Sequence, residues 1–499
     1  MNFTTRQTKQ SPQDSLDPFV KNILKLSAGM GVSQILIVLA TPFITRLYDA
    51  AEFGAWSIFT ALQAVLGSVA CFRYELSIIT AEDDGQAANQ LIISVFFSAI
   101  SAIIVTLALL FWSDAFALWV NVPGFQRYMY LVPVVVLLTG IGNGLNYWAS
   151  RAGNFGLISI ARLLSSMATI GTPLILGFGV FATESALILG TLFGCFTLMF
   201  VLGMELRRTK SLFKSIKANK IWYGIIRFKK YPLYDILASL LNTLSWQLPS
   251  FMLARYFLVN TTGYFGLGMR VIFAPFSLVG TSVAQALFQQ AEQKRKEGDL
   301  SKLVEDITQK LILIALCPML ILLISGADLF AIIFGFKWSE AGVYAQILSP
   351  WTFFVFISSP LHVLLNTMER QEVGLVFNIV LVVTRILSLV VGGATGDARI
   401  TIGLYALTGV IAYGGIALWI INLCGGSLLR IFKQILQVVL WTVLAVGLLI
   451  IVKIIWGYSS LIVFLASVLM LAAYYIFLLI LKHHLWLDLL SAFSKTLKR

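Results

Sequence analysis

The sequence predicts an all-α polytopic membrane protein of about fourteen transmembrane helices, and three observations carry that prediction. Of 499 residues, 59% are hydrophobic and only 12% are charged, with a mean hydropathy of +0.88. A soluble core has no room for that much apolar side chain, whereas a bilayer does. Apolar runs of about twenty residues recur from end to end, each long enough to cross ~30 Å of hydrocarbon. Certain phrases also return at a near-constant distance, as a duplicated architecture requires.

In order, the runs fall near 26–45, 53–72, 91–112, 128–148, 156–180 and 184–204, then near 233–258, 262–286, 309–330, 342–365, 374–391 and 400–424. Two more lie near 434–456 and 461–481. Backbone amides in hydrocarbon must be satisfied within their own segment, so each run reads as a helix. The polar alternation of a transmembrane β-barrel is absent. With the N-terminus inside, 27 of the 36 Lys and Arg residues fall on the cytoplasmic side, six outside, and three (Arg162, Arg270 and Arg385) within spans. Topology thus accounts for the formal net charge of +13, and no nucleic-acid partner is needed to explain it. Cys71, Cys195, Cys317 and Cys424 lie in apolar runs without CxxC or Cys/His spacing, as buried small hydrophobes do, and no metal site is expected. The stretch before the first span is polar and lacks a cleavable signal, so the first helix is expected to serve as an uncleaved insertion signal.

The duplication begins with "ITRLYDAAEFGAWSIF" at Ile44 and "LARYFLVNTTGYFGLG" at Leu253. Arg46 pairs with Arg255 and Gly54 with Gly263, both 209 residues apart. Asp114 then pairs with Asp328, Pro133 with Pro350 and Gly156 with Gly374, at separations of 214, 217 and 218. Each copy holds about six helices, and an even number leaves both copies the same way up, related by an axis along the membrane normal. The expected division is a cytoplasmic N-terminal segment (1–22), a first lobe (23–206), a basic cytoplasmic linker (207–230), a second lobe (231–424), a helix pair without counterpart (425–481) and a cytoplasmic tail (482–499). Two such lobes around a central cavity suit a transporter with a site that opens to either side.

The stretches "SQILIVLATPFITRLYDAAEFGAWSIF", "RYELSII", "NYWASRAGNF", "YPLYDILASLLNTLSWQLPSFML", "GYFGLGMRVIFAPFSLVGTSVAQALFQQ" and "IIFGFKWSEAGVYAQILSPW" together resemble Wzx-type lipid-linked oligosaccharide flippases. These form the polysaccharide-transporter branch of the multidrug/oligosaccharidyl-lipid/polysaccharide exporter superfamily. The resemblance runs from the first span through the eleventh and contains no catalytic signature. It implies a bacterial inner-membrane transporter that moves undecaprenyl-diphosphate-linked sugar units to the periplasmic leaflet for O-antigen, capsule or exopolysaccharide assembly. It also implies a V-shaped cavity between two lobes. Beside the lipid-linked glycan and membrane lipids, a polysaccharide polymerase and a chain-length regulator are the partners it suggests.

A diphosphate path needs cations that only a wet, protein-lined cavity can accommodate, and arginine's planar fork suits phosphate oxygens. Arg270, ~12 Å into its span, is the foremost candidate, against a structural salt bridge. Arg385 sits deep in the eleventh span and is equally suited to satisfying carbonyls of a neighbouring helix. Arg46 and Arg255 hold equivalent outer-end positions, as interfacial anchors or as contacts on exit. Arg73 and Glu75 stand where the second span ends inside, as a gate or an ion pair. Arg151 ends the fourth span, as an anchor under the positive-inside rule or a ligand. Glu75 and Asp235 are the acidic candidates to carry H⁺ or Na⁺, the alternative being a counter-ion role. Tyr74, Trp148, Asn242, Trp246 and Gln247 are candidate glycan contacts.

An enzyme reading fails for want of a nucleophile elbow, HExxH, metal cluster or P-loop, and no cofactor is expected. The more serious alternative is a drug or cation antiporter of the same superfamily. A cation exporter needs carboxylates deep in its cavity, whereas the deepest charges here are Arg270 and Arg385.

Overall fold

In lipid the backbone has no solvent to turn to, and this chain meets that constraint with helix throughout. The computed structural model describes residues 18–122, 124–179, 183–207, 218–456 and 459–480. The first 17 residues of the expected N-terminal segment, residues 208–217 of the linker and the C-terminal tail lie outside the described residues. Fourteen long helices occur among the described residues, and no strand does. They are α1 (Pro18–Leu47), α2 (Ala50–Gly67), α3 (Asp84–Trp119), α4 (Val132–Arg151), α5 (Phe155–Gly177), α6 (Glu184–Gly203), α7 (Ile236–Tyr256) and α8 (Val259–Glu297). After these come α9 (Leu300–Phe334), α10 (Ser339–Leu361), α11 (Gln371–Ala394), α12 (Ala398–Leu423), α13 (Leu428–Trp456) and α14 (Ser460–Ile480).

Each expected span has its helix, but three run well beyond the span limits. α3 has 36 residues, α8 has 39 and α9 has 35, or ~52–58 Å each at 1.5 Å per residue. Their polar ends, "DGQAANQ" in α3 and "QQAEQKRKE" in α8, continue the helix past the hydrocarbon limit. Among the described residues ten spans are long and apolar enough to cross a membrane by length and composition. α2 and α7 fall short of that measure, and they meet each other at a seam, where a helix needs less lipid-facing surface.

The duplication expected from the sequence is visible in the packing. In the first half α1 packs on α5, α2 on α4, α3 on α4, α4 on α6 and α5 on α6. The second half repeats each of these five pairings six helices later: α7 on α11, α8 on α10, α9 on α10, α10 on α12 and α11 on α12. Across the seam α2 packs on α8, and the flanking contacts α2 on α7 and α1 on α8 are mates about the same pseudo-twofold axis.

Gly54 and Gly263 explain how the seam closes. Each is the fifth residue of its helix, so both lie at the same end of the bundle. A methyl group on Gly54 would collide with the Val259 carbonyl oxygen, and one on Gly263 with the Ala50 carbonyl oxygen. The two backbones touch because neither residue has a side chain, the small-residue crossing that lets membrane helices approach closely. Gly266 continues the contact against Ser57.

The pair α13–α14 docks on α9 through groups at both ends. Glu305, buried on α9, accepts from the Ser427 amide at 2.6 Å and pairs with Arg430 at 3.5 Å. At the other end Asp328 holds Lys453 at 3.0 Å and accepts from the Ser460 hydroxyl at 3.0 Å. Asp328, an echo of Asp114, has thus acquired a role that needs the appended helices. Between them the Tyr474 hydroxyl donates to the Leu313 carbonyl at 2.6 Å.

A direct test of the crossing is available. A Cβ on Gly266 would lie 3.3 Å from Ser57 Cβ, close to the ~3.8 Å spacing of a disulfide. Ser57→Cys combined with Gly266→Cys, with the four native cysteines replaced, should crosslink under mild oxidation in native membranes. Absence of any mobility shift on non-reducing gels would place the seam elsewhere.

Candidate functional site

The seam is built from one face of α8. Gly263, Gly266 and Arg270 follow at i, i+3 and i+7, so the glycines that admit α2 also aim Arg270 at it. The Arg270 guanidinium lies over the Trp56 indole, 3.8 Å from the ring centroid. Trp56 is itself fixed, because its Nε1–H donates to Thr191 Oγ1 on α6 at 2.8 Å. A cation over an indole face contributes ~0.5–2 kcal/mol, toward the upper end where water is excluded. Among the described residues Arg270 makes no ion pair and is only half-buried. It therefore presents a positive charge, steadied by an aromatic face, between the two halves.

Past the glycines the same end is shut by side chains. Trp338, in the turn Phe336–Trp338 before α10, is fully buried. Its Nε1–H donates across the seam to the Thr45 carbonyl at 2.9 Å, and its ring meets Phe53 edge-on at 4.8 Å. Lys337 adds an ion pair to Asp49 at 2.6 Å. Arg46 and Arg255 are exposed at this end, in the last turns of α1 and α7.

At the opposite end stand the remaining candidates. Phe72 and Arg73 both have left-handed backbone, φ +50° and +64°, a strained pair for residues other than glycine. That turn drives Glu75 into a buried position, 3.1 Å from the Arg73 guanidinium. Glu75 lies in the connection between α2 and α3. Burial pushes its carboxyl above the usual carboxylate range, a local backbone hydrogen bond and Arg73 oppose that, and nearby Asp235 adds to it. Asp235 closes the wide turn Tyr231–Asp235 that leads into α7, and this turn packs on Tyr74–Leu76. Arg151 has a full set of partners: it donates to the carbonyls of Ile78, Ile79 and Ala81 and pairs with Asp84 at 3.2 Å. The linker helix Ala218–Arg227 packs on α3 and exposes Trp222, Tyr223 and Ile226. Arg227 pairs there with Glu82 at 2.6 Å, which holds the carboxyl below its ordinary range and the guanidinium above its own.

Arg385 is enclosed within the second half. It donates from Nη1 to Ser245 Oγ at 2.8 Å and lies against the ring of Trp246. Tyr74 and Trp148 are buried in the first half, whereas Asn242 is exposed. The structure thus brings Arg73, Glu75 and Asp235 together at one end and Arg46 and Arg255 at the other, with Arg270 between the halves. Sequence reasoning missed Trp56, Trp338, Asp49 and Lys337. The available signal was the i+7 spacing from Gly263 to Arg270, which places the arginine on the crossing face.

A family model described as polysaccharide biosynthesis protein matches residues 43–343. No curated protein matches the chain. Among solved structures it is similar to the lipid II flippase MurJ in an inward closed conformation, at TM-score 0.66 and 12% identity over 91% of this chain and 99% of that one. It is similar also to an inward-facing multidrug resistance MATE family transporter of the MOP superfamily, at TM-score 0.56 and 15% identity over 81% of this chain and 99% of that one. A Vibrio cholerae MATE transporter matches at TM-score 0.50 and 13% identity over 81% and 95%. These likenesses establish the fold of a polytopic helical membrane protein.

The two kinds of contact that shut the Gly54 end should differ in weight. Trp338→Ala, which empties a fully buried site at a typical ~3–5 kcal/mol, should raise maleimide labelling of Thr45→Cys several-fold. Asp49→Asn removes an exposed ion pair of ~0–1 kcal/mol and should leave labelling nearly unchanged. Equal effects would refute this ranking.

Proposed function

This chain belongs to the polysaccharide biosynthesis protein family, and on that premise we propose that it is a flippase for undecaprenyl-diphosphate-linked oligosaccharide. It carries the glycan from the cytoplasmic to the periplasmic leaflet of the bacterial inner membrane, for O-antigen, capsule or exopolysaccharide assembly. The observation that carries this reading is Arg270: a half-buried cation at the seam, held over Trp56 and paired with no carboxylate among the described residues. A guanidinium so placed receives two diphosphate oxygens bidentately and keeps its charge when water is displaced.

The basic linker sets the orientation, with both termini cytoplasmic and the Gly54–Gly263 crossing on the periplasmic side. The contacts described between α2 and α8 run from Val259 to Arg270, in the first third of α8, which supports a state closed outward. Rocking of one half on the other about the crossing then exchanges the open side. Arg46 and Arg255 stand where the head group leaves. An apolar cavity of about 310 Å³ between α8, α9, α10 and α14, lined by Ile314, Pro318, Met319, Phe353, Leu471 and Tyr475, suits part of a polyprenyl chain.

Two other acidic residues on the long helices are engaged structurally. Glu305 and Asp328 tie down the last two helices, which leaves Glu75 and Asp235 for coupling to H⁺ or Na⁺. Glu75 is the better placed for a proton, because burial already favours its neutral form.

Arg270→Ala at normal protein level should trap lipid-diphosphate-linked glycan in the inner leaflet, as deletion does, and Arg270→Lys should restore only part of the flux. If deletion leaves glycan export intact and sensitises cells to cationic dyes, the cargo is a cation and this reading is wrong. Glu75→Gln, a mimic of the protonated acid, should remove the dependence of flux on an imposed proton gradient. Unchanged dependence would assign coupling to another group.

A further inference from the structure

Arg385, on α11, is 1% exposed, and among the described residues no carboxylate pairs with it. It donates from Nη1 to Ser245 Oγ on α7. Three rings box the guanidinium, Trp246 at 4.6 Å, Tyr405 at 5.6 Å and Trp351 at 5.9 Å, from α7, α12 and α10. Tyr413, also on α12, places its hydroxyl beside the same group. Aromatic faces offset part of the cost of burying a cation, yet an ion taken out of water costs several kcal/mol even after the protein relaxes.

The polar atoms of this box are unmatched in one direction. Arg385 Nη2, Trp351 Nε1 and the Tyr405 hydroxyl are all buried without a hydrogen-bond partner. Arg385, Trp351 and Tyr405 are each 1% exposed or less. Two of those atoms can only donate, and the third is able to. Donors gathered around an unbalanced positive charge lack an acceptor, and the charge requires a negative one. Space restricts its size: Trp351 is packed so closely on α12 that a methyl group on Gly409 would collide with its indole.

We propose that this box binds one small monovalent inorganic anion of halide size, joining α7, α10, α11 and α12. The single uncompensated charge sets the valence. The near-complete burial favours such an ion over the sugar-bearing diphosphate of the cargo, which does not fit behind three rings. A water molecule would satisfy donors but leave the charge. Trp246 alone among the three rings is only half-buried, so the anion enters past it. This inference stands apart from the flippase reading, and its test involves no transport.

The full chain in detergent should be unfolded thermally in sodium gluconate, with chloride or bromide titrated in at constant sodium and ionic strength. A saturable rise in Tm is expected with either halide. Tyr405→Phe, which keeps the ring, should weaken the apparent affinity at least tenfold. Arg385→Gln should abolish the rise, and Asp49→Asn, at the far seam, should leave it unchanged. Equal Tm in gluconate and chloride would overturn the proposal and assign the donors to water. A rise that persists unchanged in Tyr405→Phe would overturn it too, as a general salt effect. If Arg385→Gln does not fold, Tyr405→Phe decides alone.

Discussion

Everything in this molecule that involves both halves depends on one backbone contact, where α2 and α8 cross with Gly54 and Gly263 in the interface. Lipid tails are as apolar as leucine side chains, so helices in a bilayer gain by close packing rather than by escaping water. Two carbonyls pressed against two glycines are close packing near its limit. Only at that separation does Ser57 reach Gly266 and Trp56 lie under Arg270. The pseudo-twofold axis passes by this point and brings the same position of each copy to it. A bulky residue in either copy would therefore break the contact, which is a physical reason for one phrase to survive twice in a chain whose other repeats have drifted.

Much of the fold was legible because the bilayer imposes a length. Twenty apolar residues read as a span with or without knowledge of neighbours, and all fourteen were placed. The extensions of α3, α8 and α9 were not, because beyond the hydrocarbon limit a helix continues on propensity and packing, which leave no hydropathy signal. The equivalence of Arg46 with Arg255 and Gly54 with Gly263 was also readable, since charges and glycines stand out in an apolar alphabet. For the same reason Arg270 and Arg385 announced themselves as charges out of place.

What surrounds those arginines was not legible. A soluble amphipathic helix declares its buried face, but a span apolar on all sides gives periodicity little to detect. Trp56 and Trp351 looked like any membrane tryptophans. One supports an arginine at the seam, while the other walls an arginine inside a half. The lower apolar character of α2 and α7 was a usable clue, for a span too polar for lipid on every side meets protein or water on one.

The scaffold is symmetric, but its charges are not. The position 209 residues before Arg270 is Ala61, fully buried, and the position 218 before Arg385 is Met167, exposed. Both deep cations thus belong to the second half, as do the ion-paired clamps that hold the appended helices. The pseudo-twofold axis relates the two halves and not the two ends of the bundle, so the halves differ only through groups that break the symmetry. Arg270 breaks it at the seam, where a positive charge stands on one half alone. Arg385 breaks it within the second half, where four helices meet around one charge. The halves are therefore alike in packing and unlike in the charges they hold.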